Sequence, residues 1–183
     1  MKITKILLIF LLLGASTTNS YANEKLILSV KKFSECFRNS NFECISIYTT
    51  PYIVEQAGGK QKFVQLMEAT YEAIKQQNVR MLPDTYKTYT PNKVVEHNNF
   101  LIAVIPTQQA IVMNDSRGLI RGSVFGYSPN KGRNWYFVEG NNESIELINH
   151  LVPGALSKVS LPDGNLFINN INFIQKNGKW VKQ

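Results

Sequence analysis

Arg121 is the arginine best placed to bind an anion. If residues 119–125 form a β-strand, Leu119, Arg121, Ser123 and Phe125 project from the same face, because side chains alternate along a strand. An arginine among apolar neighbours can bind a carboxylate or phosphate through two parallel hydrogen bonds. The alternative is that its aliphatic stem packs on the protein while the guanidinium reaches water. Arg121 is therefore a candidate ligand-binding residue, with the packed and solvated arginine as the alternative.

A second strand pattern places Trp135, Phe137 and Glu139 on one face. These residues form either ordinary core or a concave aromatic wall with the Glu139 carboxylate at its rim. If both strands turn these faces to the same concave side, Arg121 and Glu139 pair with each other or orient a ligand above the aromatic floor. The predicted ligand-binding residues are therefore Arg121, Trp135 and Glu139.

No residue pattern predicts a catalytic site. Glu96 and His97 could act as an acid/base pair, but adjacent strand residues point to opposite faces, and we interpret this dipeptide as a surface loop. There is no Gly-x-Ser-x-Gly elbow and no Cys/His grouping, and Gly58-Gly59-Lys60 lacks the full spacing of a phosphate-binding loop. The two cysteines have no His/Cys cluster beside them to complete the four ligands of structural zinc, and His97 and His150 are far apart in the sequence and in no metal-binding pattern, so we expect no metal and no cofactor.

Cys36 and Cys44 are expected to form a disulfide. On one unbroken helix, eight residues would separate their Cα atoms by about 12 Å, whereas bridged Cα atoms lie within about 7 Å. The bridge therefore requires the chain to turn at Asn39-Ser40-Asn41, where short polar residues independently interrupt the helical pattern. The alternative is two reduced cysteines in the core.

Residues 1–22 have the organisation of a secretory signal peptide. Lys2 and Lys5 precede the apolar run Ile6–Leu13, and small and polar residues follow up to Ala22, after which we expect cleavage. The apolar run is too short for a bilayer, which takes about 20 residues, so we expect no stable membrane insertion. Residues 23–183 are predicted to be an exported, soluble protein, in the periplasm or outside the cell.

The positive charge of the chain is scattered. The formal net charge of +7 falls to +5 when Lys2 and Lys5 leave with the signal peptide. Nucleic-acid-binding proteins usually gather such charge in a stripe with interleaved aromatic residues. Together with export, this argues against a nucleic-acid partner, and we interpret the charge as a solvated surface that aids solubility.

Helical periodicity dominates the first part of the mature chain. Apolar spacings of three and four predict an amphipathic helix over 24–39, a short helix over 42–48 and a longer one over 60–77. The second helix is expected to stop before Pro51, and Gly58-Gly59 breaks the chain ahead of the third.

After residue 78 the period changes to that of strands. Strands are predicted over 79–89 with an interruption at Pro83, over 100–105 and 110–113 with a bulge or strand edge at Pro106, and over 119–127 and 134–139. The short turns between them predict a mainly antiparallel sheet. A short helix over 143–151 and a strand-like tail over 165–183, with a turn at Asn177-Gly178, complete a single domain.

Four stretches resemble the nuclear-transport-factor-2-like superfold, also called cystatin-like or SnoaL-like. They are Tyr52 with Gly58–Phe63, then Leu101–Pro106, then Gly126–Ser128 with Gly132 and Trp135–Gly140, and finally Leu151–Gly154 with Leu161-Pro162. Their order and spacing over residues 24–162 are similar to small exported bacterial proteins of that superfold without an assigned activity. The resemblance implies an α+β fold in which a curved sheet wraps around N-terminal helices.

The superfold hosts isomerases, dehydratases, cyclases and many non-catalytic binding modules, so the fold does not decide the function. No residue here matches the carboxylates that its enzymes place in the cone. We therefore expect a non-catalytic domain that binds a small apolar ligand or a protein partner, with a homodimer through the open sheet face as one arrangement. The alternatives are a cofactor-free lyase or isomerase with a pocket carboxylate, and a periplasmic immunity or inhibitor protein.

Overall fold

The computed structural model describes the backbone of residues 4–91, 93–169, 171–176 and 179–183, and the side chains of these residues except 4–20, 176, 179 and 180. Helices come first and a mainly antiparallel sheet follows, so the predicted α+β organisation is confirmed. The α-helices are α1 (Thr4–Arg38), α2 (Phe42–Tyr48), α3 (Pro51–Gln56), α4 (Lys60–Gln76) and α5 (Ile145–Leu151). The strands are β1 (Val79–Met81), β2 (Lys87–Thr88), β3 (Val94–His97), β4 (Phe100–Met113), β5 (Ser116–Ser128), β6 (Tyr136–Glu139), β7 (Asn165–Ile168), β8 (Ile171–Lys176) and β9 (Lys179–Lys182).

The turn between α1 and α2 is closed by a disulfide. Cys36 and Cys44 are bonded, with their Cα atoms 5.5 Å apart, which confirms the predicted bridge. The helix ends at Arg38, and Ser40 adopts a left-handed conformation with φ of 49°. The Asn41 side chain then accepts a hydrogen bond from the Cys44 N–H and caps α2. The polar residues that interrupt the helical pattern therefore reverse the chain and allow the bridge.

The helix layer contains one element that the sequence pattern missed. Pro51 was expected only to end the preceding helix, but it also occupies the first turn of α3, where its fixed φ suits a helix start. Gly58 and Gly59, with φ of 88° and 97°, separate α3 from α4 as predicted. The predicted apolar side of α4 is less buried than expected, since Phe63 is buried but Leu66 remains 58% exposed.

The long hairpin of β4 and β5 organises the sheet. Its thirteen paired positions run in one unbroken register from Leu101–Ser128 to Met113–Ser116. Asn114 and Asp115 join the strands with φ of 46° and 63°, the two positive values that a tight two-residue hairpin turn requires. The turn therefore fixes which side chains of both strands share a face.

Pro106 lies inside β4 without disturbing this register. The predicted bulge is wrong, because β4 and β5 pair without an extra residue at that point. The Pro106 carbonyl accepts a hydrogen bond from the Tyr89 N–H at 2.9 Å, on the edge of β4 away from β5. The nitrogen and carbonyl of a strand residue point to the same side, so the missing donor faces Tyr89, just after β2, and not β5. The expected strand edge is therefore wrong as well, because Pro106 lies in the middle of β4, between β5 and the segment that follows β2.

Shorter strands line both outer edges of this hairpin. β1, β2 and β3 pair in turn with β4, while β6 and β7 pair with β5, and β8 and β9 continue from β7. Every one of these ladders among the described residues is antiparallel. The strand-like tail is therefore part of the sheet, while its predicted turn residues, Asn177 and Gly178, lie outside the described residues.

The sheet separates two apolar clusters. On the side that we call the helix face, Ala103, Ile105 and Phe137 pack against α1 residues that include Leu26 and Phe33. We call the opposite side the α5 face. There Phe125, Tyr127 and Val138 form a second cluster with residues in and just after α5, which are Ile148, Val152 and Ala155. The core thus consists of two layers, one on each side of the β4–β5 hairpin.

Glu96 and His97 lie in a strand, so their interpretation as a surface loop is wrong. They pair with Leu101 and Phe100, because Asn98 and Asn99 form a tight turn with positive φ that lets β3 fold back on β4. Their side chains point to opposite faces, as strand alternation requires. The His97 ring nitrogen Nε2 lies 2.8 Å from the Pro153 carbonyl oxygen and ties β3 to the chain after α5.

We predict that replacing Cys36 and Cys44 together with alanine lowers the free energy of unfolding of residues 23–183 by about 2.5 kcal/mol, because the bridge no longer restricts the unfolded chain. Urea denaturation followed by circular dichroism measures the change. Wild-type protein kept in reductant serves as the control and should lose a similar amount. A loss below about 0.5 kcal/mol in both samples would contradict the prediction.

Candidate functional site

The three predicted ligand-binding residues lie on two faces of the sheet. Val124 pairs with Glu139 in the β5–β6 ladder, and directly paired residues of antiparallel strands share a face. Glu139 therefore lies on the helix face, where Trp135 packs into the α1 cluster. Arg121 is three residues from Val124 along β5 and thus lies on the α5 face. The structure does not bring Arg121 together with Trp135 and Glu139.

Trp135 is a core residue on the helix face. Its side chain is 2% exposed and belongs to the same cluster as Phe33 and Phe137. The loop that leads to it is held by Asn130, whose side-chain oxygen accepts hydrogen bonds from the Ser128 hydroxyl and the Asn134 N–H. The indole Nε1–H has no hydrogen-bond partner among the described residues. Trp135 therefore contributes apolar packing while leaving a costly buried donor unpaired.

Ala22 packs on the glycine of the same loop. Ala22 is 2% exposed within α1, and a Cβ atom added to Gly132 would lie 2.8 Å from the Ala22 Cβ. Gly132 also has a φ of 85°, which an L side chain rarely adopts. Glycine is therefore required here both by the close approach of α1 and by the backbone conformation.

Glu139 and Tyr86 both lie on the helix face, and both have raised pKa values. Burial raises the pKa of the Glu139 carboxyl, the negative charge of Glu143 raises it further, and a hydrogen bond from Asn141 opposes the shift. The Glu139 side chain keeps exposed surface, so this carboxyl can exchange protons with water. Burial also raises the pKa of Tyr86, and the charge of Glu139 adds to the shift. A carboxyl with a raised pKa is better suited to acid/base chemistry near neutral pH than an ordinary one.

Tyr86 is a residue that the sequence pattern did not single out. It follows the 3-10 helix Pro83–Thr85, and its ring stacks on Phe37 of α1 with centroids 4.8 Å apart. The Thr85 hydroxyl accepts a hydrogen bond from the Ala110 N–H at 2.9 Å and fixes this segment on β4. Its burial depends on α1 lying across the sheet, so strand periodicity alone could not reveal it.

Arg121 projects from a part of the α5 face that α5 does not cover. We define this open half of the sheet as the α5-face side chains of Arg80 in β1 and Lys87 in β2, and of those within 108–112 of β4, 117–121 of β5, 165–167 of β7, 172–174 of β8 and 181 of β9. Phe167, which pairs with Leu119, is 45% exposed, and Arg121 is exposed as well. Solvent therefore reaches Phe167 and Arg121, whereas Ala110, which pairs with Leu119, is buried.

Two cross-strand rows carry cations over the open half. In one row the register aligns Lys87 of β2, Gln108 of β4 and Arg121 of β5. Two rows further along, it aligns Arg80 of β1, Val112 of β4 and Arg117 of β5. All four cationic side chains are exposed. The pattern could have found Arg117 from its alternation with Arg121, but Arg80 and Lys87 join them only through the pairing of β1 and β2 with β4.

Other features of the described residues offer less to a ligand. A surface cavity of about 140 Å³ between α4 and β1 is below the range of about 300–1,000 Å³ typical of small-molecule sites. The described residues contain no cluster of three His, Cys, Asp or Glu side chains arranged to hold a metal ion. Within the same part of the chain, no helix has the length and apolar character needed to cross a membrane.

Comparison with known protein families, curated proteins and solved structures finds no match to this chain.

We predict that Tyr86→Phe raises the pH at which the protein unfolds in alkali. The folded protein holds the Tyr86 proton more tightly than the unfolded chain, whose tyrosines ionise near pH 10. This contribution to stability is therefore present below pH 10 and is lost as the pH rises further. Circular dichroism between about pH 9 and 12.5 measures the unfolding midpoint. Tyr89→Phe, at an exposed tyrosine, is the control, and equal midpoints for both variants would refute the prediction.

We predict that Glu139→Gln stabilises the protein slightly at pH 7 and 8 but not at pH 4. The raised pKa means that ionising Glu139 costs more in the folded than in the unfolded protein, so wild-type stability falls as the pH rises above the unfolded value of about 4.5. Glutamine removes this charge. Thermal unfolding at several pH values measures the difference. Glu146→Gln on α5 is the matched control, and a pH-independent effect of Glu139→Gln would be inconsistent with the argument.

Proposed function

We propose that this chain is an exported, non-catalytic binding domain that holds a protein partner on the open half of its sheet. The observation that carries this proposal is the exposure of apolar strand residues there: Phe167 is 45% exposed and Val181, on the same face, is 44% exposed. Apolar side chains that remain exposed together and are rimmed by polar residues are typical of protein interaction sites.

Export is supported by the N-terminal pattern of residues 1–22 and by the disulfide. Cys36 and Cys44 are bonded to each other, and such bonds persist in oxidising compartments outside the cytosol. We propose that cleavage after Ala22 releases residues 23–183 into the periplasm or the medium.

The proposed fold family is the nuclear-transport-factor-2-like superfold. Helices α1 to α4 precede the sheet, α1 lies against its helix face, and the strands are antiparallel, as that resemblance implies. The family includes binding modules as well as enzymes, so the argument for function depends on the surface and not on the fold. A periplasmic immunity or inhibitor protein is a special case of the same proposal.

A lyase or isomerase is the second candidate, favoured by the raised pKa of Glu139 and by the buried Tyr86 hydroxyl on the same face. In such an enzyme Glu139 would exchange a proton with the substrate and Tyr86 would donate a hydrogen bond to it. The two candidates use opposite faces of the sheet, because Glu139 lies on the helix face and Phe167 on the α5 face. Single substitutions can therefore separate them.

We predict that Phe167→Ser weakens partner binding while leaving the fold intact. Immobilised protein (residues 23–183) is used to isolate a partner from the envelope of the producing cells, and the purified partner is then titrated by calorimetry. Loss of the Phe167 ring from the contact should weaken binding at least about tenfold. Leu66→Ser is the matched control, since Leu66 is 58% exposed on α4, outside the sheet.

Glu139→Gln should leave this binding unchanged. If both serine variants bind as well as the wild type, the open half is not the binding surface. If Glu139→Gln instead abolishes a lyase or isomerase activity found by substrate screening, the enzyme is the correct alternative.

A further inference from the structure

The four cations of the open half occupy the corners of a rectangle. Arg117 and Arg121 are four residues apart on β5, which corresponds to about 14 Å along an antiparallel strand. Lys87 and Arg121 are two strands apart across β4, as are Arg80 and Arg117, which corresponds to about 10 Å. The positions follow from the register of the strands and place the charges around one patch, although they are scattered in the sequence.

The centre of this rectangle is apolar. Ala110 of β4 pairs directly with Leu119 of β5 between the two charged rows, and Val112 lies beside them in the row of Arg117. Phe167 of β7 extends the apolar centre beyond Leu119. Gln108 is the polar side chain between Lys87 and Arg121. A charged rim around an apolar centre is the usual anatomy of a protein interface.

The four cations have no carboxylate among them. The strand residues paired across this half of the α5 face include no Asp or Glu. The acids near its ends are Asp84 in the 3-10 helix before β2, Asp115 in the β4–β5 turn, and Asp163, which lies two residues before Asn165 and accepts a hydrogen bond from the Asn142 side chain. Among the described residues, the ion pairs join Lys60 to Glu43 and Lys75 to Glu72, so none of them neutralises a cation of the rectangle.

We propose that the partner of the open half is a protein surface that presents carboxylates about 10–14 Å apart around an apolar centre. This inference rests on the proposed function and adds the chemistry of its partner. The guanidinium groups of Arg80, Arg117 and Arg121 can each bind a carboxylate through two hydrogen bonds, and Lys87 adds a point charge. Complementary charge fixes the register of the partner, while Leu119 and Phe167 supply the apolar contact.

A second copy of this chain does not fit the same surface. A symmetric dimer places a patch against itself, so the four cations of one copy would face those of the other. Like charges opposed in an interface cost several kcal/mol. The apolar side chains of this face lie on strands, between or beside the cations, and not on an amphipathic helix of the kind that lies in a lipid interface. An acidic protein surface is therefore the occupant that the arrangement favours.

The test titrates residues 23–183 with a short peptide that repeats Glu-Ser-Leu-Ser and ends in Glu. In an extended chain its glutamates lie about 14 Å apart with one leucine between them. This spacing matches Arg117, Leu119 and Arg121, which lie two residues apart along β5. Amide NMR shifts report binding in the millimolar range. We expect shifts centred on β4, β5 and β7, and about tenfold weaker binding when Arg117 and Arg121 are both replaced by glutamate.

The matched control replaces Lys31 and Lys32 with glutamate. These two lysines are exposed on α1 and give the same change in net charge without touching the sheet. Equal weakening in both double variants, or no binding of the peptide by the wild type, would overturn the proposal. Stronger binding to vesicles of phosphatidylglycerol and phosphatidylcholine than to the peptide would show a membrane surface as the target and would also overturn it.

The partner isolated with immobilised protein, as described for Phe167→Ser, separates failure of this inference from failure of the proposed function. If that partner loses affinity with Phe167→Ser but keeps it when Arg117 and Arg121 are reversed, the open half is the binding surface and the acidic partner is wrong. If Phe167→Ser has no effect, the binding surface itself is wrong.

Discussion

The register of the β4–β5 hairpin is the constraint on which the rest of the structure depends. Asn114 and Asp115 fix it at one end, and thirteen consecutive pairs transmit it along both strands. A slip of one residue would turn Ile105 and Phe125 out of the layers that they now fill. Because β1, β2, β3, β6 and β7 all pair with these two strands, the same register decides which residues of seven strands share a face.

The end of α1, the helices α2, α4 and α5, and the disulfide could be predicted from the sequence because local interactions determine them, whereas α3 was missed and α1 begins earlier than predicted. The polar segment Asn39–Asn41 both ends α1 and brings Cys36 to Cys44, so two independent patterns agree. Pro106 is a position at which the local sequence does not determine the pairing of the strand. Proline removes one donor wherever it stands, but the pairing partners of β4 decide whether that donor is needed. The proline position can be read from the sequence, but only the sheet shows that its nitrogen faces Tyr89 and not a strand of the β4–β5 hairpin.

The candidate surface depended on information that alternation within one strand does not contain. Arg121 and Glu139 each have the predicted neighbours on their own strand, yet the β5–β6 register puts them on opposite faces. Conversely, Arg80 and Arg117 are far apart in the chain, and they lie in the same cross-strand row only because β1 and β5 both pair with β4. Long-range pairing therefore separated one predicted group of residues and assembled another from charges that looked scattered.

If the signal peptide ends at Ala22, the burial of this residue determines whether cleavage or the packing of α1 comes first. A protease acts on an extended and accessible segment, whereas here Ala22 is helical, almost completely covered, and wedged against Gly132. The folded precursor would therefore hide its own cleavage site. If cleavage occurs after Ala22, processing would have to precede the docking of α1 on the sheet, and the domain would close only after the new N-terminus had been made.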